Sequence, residues 1–251
     1  MPDLHIHDVD DQNAQLPRIK PPPRKAKISV PFSYAASDDG TDENLLILLH
    51  GLGDTQIPFF KLGKQLKLPQ TAVLVLQAPE RIPFLYEEAY AWYPSFDPLG
   101  ELIPRPNPTS ALELLDKIIN HLREDCTWPL DRVHLFGFAQ GGSVAAEFGV
   151  KLHRETLGSI VTVSGPLLSY PTLSTLSLTP ILVAYRSPSL PASELPAFKK
   201  GFSRVRESKM VPEGGMPASR TEWEPIMRFW SDNLCRRQVE GVYEVLSGTS
   251  G

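Results

Sequence analysis

The sequence predicts an α/β fold in which a mostly parallel sheet is covered by helices on both faces. Short apolar runs recur along the chain, and segments with helical apolar spacing lie between them. A continuous apolar run is typical of a strand that is buried on both faces. Strands that alternate with helices favour a parallel sheet, because each crossover returns the chain to the same edge. The 251 residues suit one such domain.

The predicted elements follow one another with few long interruptions. Strands are expected at 27–35, 44–49, 71–79, 133–138, 157–165 and 179–185. Helices are expected at 59–68, 110–125, 141–152 and 220–237, where apolar residues recur at helical spacing. The segment from Glu80 to Pro108 is rich in proline and aromatic residues and has no clear period. A loop of that length in a compact domain is often functional.

The two ends of the chain differ in composition from the middle. Residues 1–28 are polar and then rich in proline and lysine, so they are predicted to be a disordered tail. Residues 29–238 are predicted to form the domain, and 239–251 a second tail. A metal site at His5 and His7 is not favoured, because a flexible tail offers no further fixed ligands. No metal or cofactor is expected elsewhere.

Charge and cysteine content restrict the partners and the compartment. The net charge of −4 disfavours nucleic acid, which binds basic surfaces. No apolar run reaches the roughly 20 residues that span a bilayer, and the N-terminus lacks the apolar core of a secretory signal. Only two cysteines occur, which fits a reducing compartment. We therefore expect a protein of the cytoplasm, with the nucleus as the alternative compartment, and without a membrane span.

A strand, a sharp turn and a helix are predicted at residues 133–142 (VHLFGFAQGG). Gly137 and Gly141 stand two residues before and after Ala139. This is the G-x-S-x-G pattern of a nucleophile elbow with alanine in place of serine. Glycine is needed on both sides because a larger residue would collide with the neighbouring strand and helix. The helix that follows directs its first N–H groups towards the turn.

The segment Leu45–Thr55 (LLILLHGLGDT) repeats this logic earlier in the chain. A buried strand ends in a glycine-rich loop, which can turn backbone N–H groups towards a developing oxyanion. Each motif alone is weak evidence, but the two in this order are specific.

These motifs resemble those of the phospholipase/carboxylesterase group, which includes the acyl-protein thioesterases. The similar stretches are HGLGDT at 50–55, GFAQGG at 137–142 and GGMPASRTEWEPIMRFW at 214–230, the last being similar to the fungal branch. The resemblance implies an α/β-hydrolase fold and a Ser-Asp-His triad in that order. It also implies an oxyanion hole formed by the N–H groups of Leu52 and Gln140, and esters or thioesters with acyl chains as substrates.

The sequence departs from the family pattern at all three triad positions. Ala139 replaces the nucleophile, Pro188 or Ser189 stands where the carboxylate belongs, and Gly214 stands at the histidine position. The last of the six histidines is His153, which precedes the strand after which the fold needs its general base. His50 lies near the site and is expected to shape the oxyanion loop.

Other residues have a functional and a packing interpretation. Ser143 and Ser164 are candidate replacement nucleophiles, although a structural role is favoured for both. Cys126 has no evident basic neighbour and is expected to pack. Aromatic residues of the long loop either line an acyl pocket or pack in the core; they are Tyr90, Trp92, Tyr93 and Phe96. The basic residues between Lys199 and Lys209 are expected on a solvated helix face.

The sequence therefore predicts a catalytically inactive homologue of a carboxylesterase or acyl-protein thioesterase that acts as a binding or scaffold protein for a partner not identified by the sequence. One alternative is an active serine-type esterase with rearranged catalytic residues. Another is a sensor whose emptied site holds an acyl ligand or a carboxylate such as a fatty acid.

Overall fold

The computed structural model describes residues 18–83, 86–187, 190 and 192–237. Its strands are β1 Phe32–Ala35, β2 Asn44–Leu49, β3 Thr71–Leu76, β4 Glu80–Arg81, β5 Tyr90–Ala91, β6 Val133–Phe138, β7 Ser159–Val163, β8 Ile181–Tyr185 and β9 Val205–Lys209. Its helices are α1 Gln56–Gln65, α2 Thr109–Glu124, α3 Gln140–Lys151, α4 Leu195–Gly201 and α5 Arg220–Asn233.

Seven of these strands form one sheet in the order β1-β3-β2-β6-β7-β8-β9. Strand β1 runs antiparallel to β3, whereas the other five pairings are parallel. Strands β4 and β5 form a separate antiparallel pair. The predicted fold class is confirmed, and the parallel arrangement brings the carboxyl ends of β2, β6, β7 and β8 to one edge of the sheet.

Helices cover both faces of the sheet because the side chains of each strand alternate between them. In β2, Leu45 and Ile47 face a core that includes residues of α2, α3 and α4. Leu46 and Leu48 face a second core, to which α1 and α5 contribute. Every residue of β2 is buried, which explains its continuous apolar run.

The last strand of the sheet has no counterpart among the strands predicted from the sequence. Strand β9 is charged and half exposed (VRESK), so it lacks the apolar run by which the other strands were predicted. It pairs with β8 and forms the outer edge of the sheet. The basic residues expected on one helix face do not share one: Lys199 and Lys200 lie in α4, Arg204 lies directly before β9, and Arg206 and Lys209 lie in this strand. Charged side chains suit an exposed edge because they discourage pairing with another chain.

Residues 18–28 contact the domain, although they were assigned to a disordered tail. Ile28 is buried in the core, and the Lys20 N–H donates to Asp42 at 2.9 Å. The Arg24 N–H donates to His121 Nε2 at 3.0 Å. The earlier part of that tail, which contains His5 and His7, and residues 238–251 lie outside the described residues. The limits proposed for the domain stay a prediction.

No helix in the described part of the chain combines the length and the apolar character required to cross a membrane.

Candidate functional site

The turn between β6 and α3 holds Ala139 in a rare backbone conformation, with φ 47° and ψ −115°. Its N–H donates to the Val163 carbonyl at 2.8 Å, and its own carbonyl accepts from the Ser143 N–H at 3.0 Å. The first bond ties the turn to β7 and the second begins α3. This is the strand, turn and helix arrangement expected of the elbow, and the residue at its apex has only a methyl side chain.

The elbow glycines are fixed by close packing of backbone on backbone. A Cβ at Gly137 would lie 2.5 Å from the Gly142 nitrogen and would overlap the Gly141 carbonyl. A Cβ at Gly141 would lie 2.5 Å from the His50 carbonyl oxygen. Backbone atoms cannot move aside as a flexible side chain can, so only glycine fits. The elbow and the end of β2 are therefore in direct contact.

The loop after β2 and the start of α3 contain the two backbone N–H groups that the resemblance assigns to an oxyanion hole. Within the described ranges, the N–H groups of Leu52 and Gln140 donate to no protein acceptor. Gln140 is the first residue of α3, whose initial N–H groups have no partner within the helix. The next N–H of the loop, that of Gly53, donates to Tyr90 O at 2.9 Å and fixes the loop against β5.

The Gln140 side chain holds the aromatic segment in place. Its Oε1 accepts from the Trp92 N–H at 2.9 Å, and its Nε2 donates to the Tyr93 carbonyl and to Ser95 Oγ at 2.9 and 2.7 Å. Trp92 and Tyr93 are buried in the core, whereas Phe96 is 53% exposed. Packing is therefore the role of Trp92 and Tyr93, while Phe96 lies at the surface.

His50 is fully buried and both of its ring nitrogens are engaged. Nδ1 donates to the Gly51 carbonyl at 2.8 Å, and Nε2 accepts from the Ala78 N–H at 2.9 Å and from Gln77 Nε2 at 3.1 Å. Burial lowers the pKa of the imidazole, so the ring is neutral. His50 orders the loop as expected, and these bonds leave no nitrogen free to accept a proton.

A buried arginine lies at the carboxyl end of β8, the strand after which the resemblance places the triad acid. Arg186 follows β8 directly and is 1% exposed. Its Nη1 contacts Glu222 Oε1 at 2.6 Å and the carbonyls of Val211 and Glu213 at 2.7 and 3.0 Å. Its Nε donates to the Gly215 carbonyl at 3.0 Å. The guanidinium thus ties the end of β8 to the loop before α5.

Glu222 completes this ion pair from the first turn of α5. Its Oε2 accepts from the Ala218 N–H at 3.0 Å, while Ser219 caps the helix by accepting from the Glu222 N–H at 3.3 Å. The hydrogen bond from Arg186 holds the pKa of the Glu222 carboxyl below its ordinary value. The carboxylate is therefore ionised and fully committed to the pair and to the helix start.

The loop that contains Gly214 wraps around the guanidinium. Gly214 has φ +112°, and a Cβ there would lie 3.5 Å from Arg186 Cζ. A side chain at this position would start from a strained backbone and point towards a buried cation. The other triad candidates, Pro188 and Ser189, lie outside the described residues.

Neither candidate replacement serine is activated. Ser143 and Ser164 are buried, and among the described residues neither hydroxyl has a hydrogen-bond partner. Ser164 has φ +55° at the end of β7. Cys126 Sγ lies 3.8 Å from His121 Nε2, a neighbour that the sequence did not reveal, but burial raises the pKa of this thiol. The structure brings no serine or cysteine of this group together with an available base.

The Arg186–Glu222 pair was not predicted from the sequence. Two signals were present: an arginine directly after a buried apolar strand, and the Ser-x-x-Glu pattern at 219–222 that is typical of a helix start. Neither signal alone indicates that the two side chains meet, because they are 36 residues apart and belong to different elements.

Comparison with known proteins agrees with the geometry of the fold. The family model described as Phospholipase/Carboxylesterase matches residues 33–207. An uncharacterized hydrolase of Mycosarcoma maydis is 40% identical over 227 residues, which are 84% of this chain and 85% of the relative.

Solved structures share the architecture at much lower identity. The acyl-protein thioesterase 2 of Zea mays is 21% identical with a TM-score of 0.66, over 82% of this chain and all of that one. The esterase PE8 is also 21% identical, with a TM-score of 0.68, over 82% of this chain and 98% of that one. At such identities the structures establish a common fold.

Proposed function

We propose that this chain, which belongs to the phospholipase/carboxylesterase family, is a catalytically inactive member that acts as a binding or scaffold protein. The family's chemistry begins with a covalent bond between a serine oxygen and the acyl carbon. Ala139 has no oxygen to form it. The missing hydroxyl removes the step in which the acyl-enzyme forms. One further observation supports the loss of the rest of the mechanism.

That observation is the buried guanidinium of Arg186 at the acid–base end of the site. In the triad, a carboxylate stabilises the imidazolium that forms when histidine takes the serine proton. Here the guanidinium of Arg186 occupies the carboxylate of Glu222, so this ion pair provides no free carboxylate to stabilise an imidazolium. The carbonyl groups of the loop at 211–216 are committed to Arg186, so this end of the site has been rebuilt as a structural ion pair.

The rearranged-esterase alternative requires a nucleophile with a base beside it. Ser143 and Ser164 lack a partner among the described residues, and hydrogen bonds occupy both nitrogens of His50. None of these groups provides a proton-transfer path. The alternative therefore has no support in the arrangement of the described side chains.

The carboxylate-sensor alternative has one specific observation in its favour. The N–H groups of Leu52 and Gln140 have no acceptor among the described residues, and Gln140 begins α3, a helix N-terminus that favours an anion. Titration with medium- and long-chain fatty acids tests it. Saturable binding that Ala139→Trp weakens would support it, whereas binding that ignores this substitution would count against it.

Hydrolysis assays test the main proposal. We expect the purified protein to hydrolyse p-nitrophenyl acetate, butyrate and octanoate no faster than buffer that contains an equal mass of a control protein without esterase activity. We also expect no labelling by a fluorophosphonate probe, which reacts only with an activated serine. Saturable labelling that maps to a serine of this chain would overturn the proposal and support the rearranged esterase.

A further inference from the structure

Exposed apolar side chains are concentrated around the candidate site. In the described part of the chain, eleven large apolar residues are prominently exposed, and seven of them lie on three segments: 51–57, 86–102 and 211–216. These seven residues are Leu52, Ile57, Tyr86, Phe96, Leu99, Leu102 and Val211. We call them the site rim. Isolated exposed apolar residues are ordinary, but a concentration of this kind marks an interaction surface.

Contacts join the three segments to one another and to the end of β6. The Gly53 N–H donates to the Tyr90 carbonyl, which joins the first segment to the second. A Cβ at Gly51 would lie 2.8 Å from the Phe138 ring, and a Cβ at Gly215 would lie 3.6 Å from the same ring. The first and third segments therefore meet at Phe138, beside Ala139.

The most exposed part of the rim is held in position by its own turn. Phe96 and Leu102 form a β-bridge, and the Ile103 N–H donates to the Ser95 carbonyl at 2.8 Å. Asp97 Oδ1 accepts from the N–H groups of Leu99 and Glu101, both at 2.9 Å. Leu99 is thereby presented to solvent, at 86% exposure, on a turn of defined shape. A preformed apolar projection lowers the entropic cost of binding, because the turn is already ordered.

The charged residues of the first and third segments, and of the loop at 80–105 that contains the second, are predominantly acidic. Residues 80–105 contain five carboxylates and two basic side chains, and the other two segments add Asp54 and Glu213. The five are Glu80, Glu87, Glu88, Asp97 and Glu101, and the basic residues are Arg81 and Arg105. A partner of opposite charge gains affinity and association rate at such a surface.

This charge selects one occupant among three. An anionic membrane surface would be repelled by the carboxylates. A second copy of the chain would bring the same acidic surface against itself in a two-fold dimer, which places like charges together. An apolar segment with lysine or arginine satisfies both the exposed side chains and the charge.

Building on the proposed role as a binding protein, we propose that the site rim docks a segment of a partner protein that combines apolar side chains with lysine or arginine. The partner's apolar residues contact Phe96, Leu99 and Leu102, and its basic residues face the surrounding carboxylates. Docking at the site rim does not depend on acyl chemistry at the elbow.

Selection from a phage-displayed library of random dodecapeptides tests this proposal. The bait is the full chain at 0.15 M salt, and the double variant Leu99→Ser/Leu102→Ser serves as a parallel bait. We expect the wild-type chain to enrich peptides that contain both basic and large apolar residues. The strongest synthetic peptide should bind at least fivefold more weakly to the double variant by fluorescence anisotropy.

Two further variants separate the surface from unrelated effects. The control Tyr170→Ser/Leu178→Ser removes two exposed apolar residues of similar size outside the rim and should leave peptide affinity unchanged. The charge reversal Glu87→Lys/Glu88→Lys should weaken binding at least fivefold, and so should 0.5 M salt, because both reduce the electrostatic attraction.

Several results would overturn the proposal. These are the absence of enrichment, enrichment of peptides without basic residues, and affinity that the rim variant leaves unchanged. Flotation with phosphatidylcholine/phosphatidylserine vesicles that requires Leu99 and Leu102 would identify a membrane as the occupant instead. Dimerisation lost in the same variant would identify a second copy. Ester hydrolysis reports separately on the proposed inactivity, so either idea can fail without the other.

Discussion

The two halves of the candidate site differ in the interactions that hold their backbone in place. The elbow half consists of the loop after β2, the turn at Ala139 and the start of α3, and close contacts between backbone atoms hold it together. The acid–base half, named for the triad roles that the resemblance assigns to it, consists of the end of β8 and the loop at 211–216, and it is organised around Arg186 and Glu222. The elbow half thus depends on backbone packing, whereas the acid–base half depends on a buried ion pair.

Packing explains why the halves differ in this way. In the elbow half the constraints are between backbone atoms, since Gly137 and Gly141 meet carbonyl and amide groups of neighbouring elements. Those constraints belong to the fold and do not depend on catalysis. In the acid–base half, Gly214, the position that the resemblance assigns to the triad histidine, lies in a loop, and loops tolerate replacement. A buried ion pair that satisfies several loop carbonyls provides an alternative way to fix such a loop.

The largest expected effect is on the ion pair of the rebuilt half. Arg186→Met should lower the free energy of unfolding by about 3–5 kcal/mol, because it leaves the Glu222 carboxylate and several loop carbonyls without their donor. Glu222→Leu should have an effect of similar size. Urea unfolding measures both, and the double variant should cost clearly less than the sum of the single variants. Additive losses would show that the two groups act independently and would weaken the account of this half.

A smaller loss is expected from the elbow half. Gly137→Ala should cost about 2–3 kcal/mol, since the added methyl meets backbone that cannot move aside. Gly215→Ala is the matched control in the other half: its methyl would make an ordinary 3.6 Å contact with Phe138, so its effect should stay within about 0.5 kcal/mol. Equal effects in urea unfolding would contradict the distinction between constrained and replaceable backbone.

The free energy of unfolding should depend on pH in two separate ranges, one set by buried histidines and the other by Glu222. Burial lowers the pKa of His50, so the unfolded chain takes up a proton before the folded chain does and stability falls as pH drops below about 6.5. His134, whose pKa burial lowers to about 3, contributes in the same window. Arg186 lowers the pKa of Glu222, so the stability it contributes is lost only below about pH 4.5.

Two variants resolve these contributions when unfolding is followed at several pH values. His50→Asn should flatten the profile between pH 5 and 6.5 while His134 preserves part of the slope. Glu222→Gln should flatten only the profile below pH 4.5. If Glu222→Gln leaves the fall in stability below pH 4.5 unchanged, then the carboxylate is not held ionised by Arg186.

The sequence was informative where local pattern determines structure. The all-apolar run of β2 predicts a strand buried on both faces, and the glycines around Ala139 predict the elbow. Strand β9 escaped prediction because an exposed edge strand lacks that pattern. The contacts of residues 18–28 were missed because single side chains such as Ile28 make them, in a segment of polar composition.

The acid–base half shows the limit of motif reasoning. The absence of histidine after β8 indicated that the base was missing, but not what replaced it. The pairing of Arg186 with Glu222 joins elements that are distant in sequence, and only the tertiary fold brings them together. Gly214 likewise gave no sign of its positive φ.

We attribute the proposed loss of catalysis to the arrangement around Arg186 as well as to the missing hydroxyl. The single substitution Ala139→Ser separates these two causes when it is assayed with p-nitrophenyl butyrate and a fluorophosphonate probe beside the wild-type chain. We expect turnover equal to that of the wild type and no labelling at position 139, because no base is available to activate the new hydroxyl. Saturable turnover, together with labelling at position 139, would reveal a working base and would show that the missing hydroxyl alone explains the inactivity.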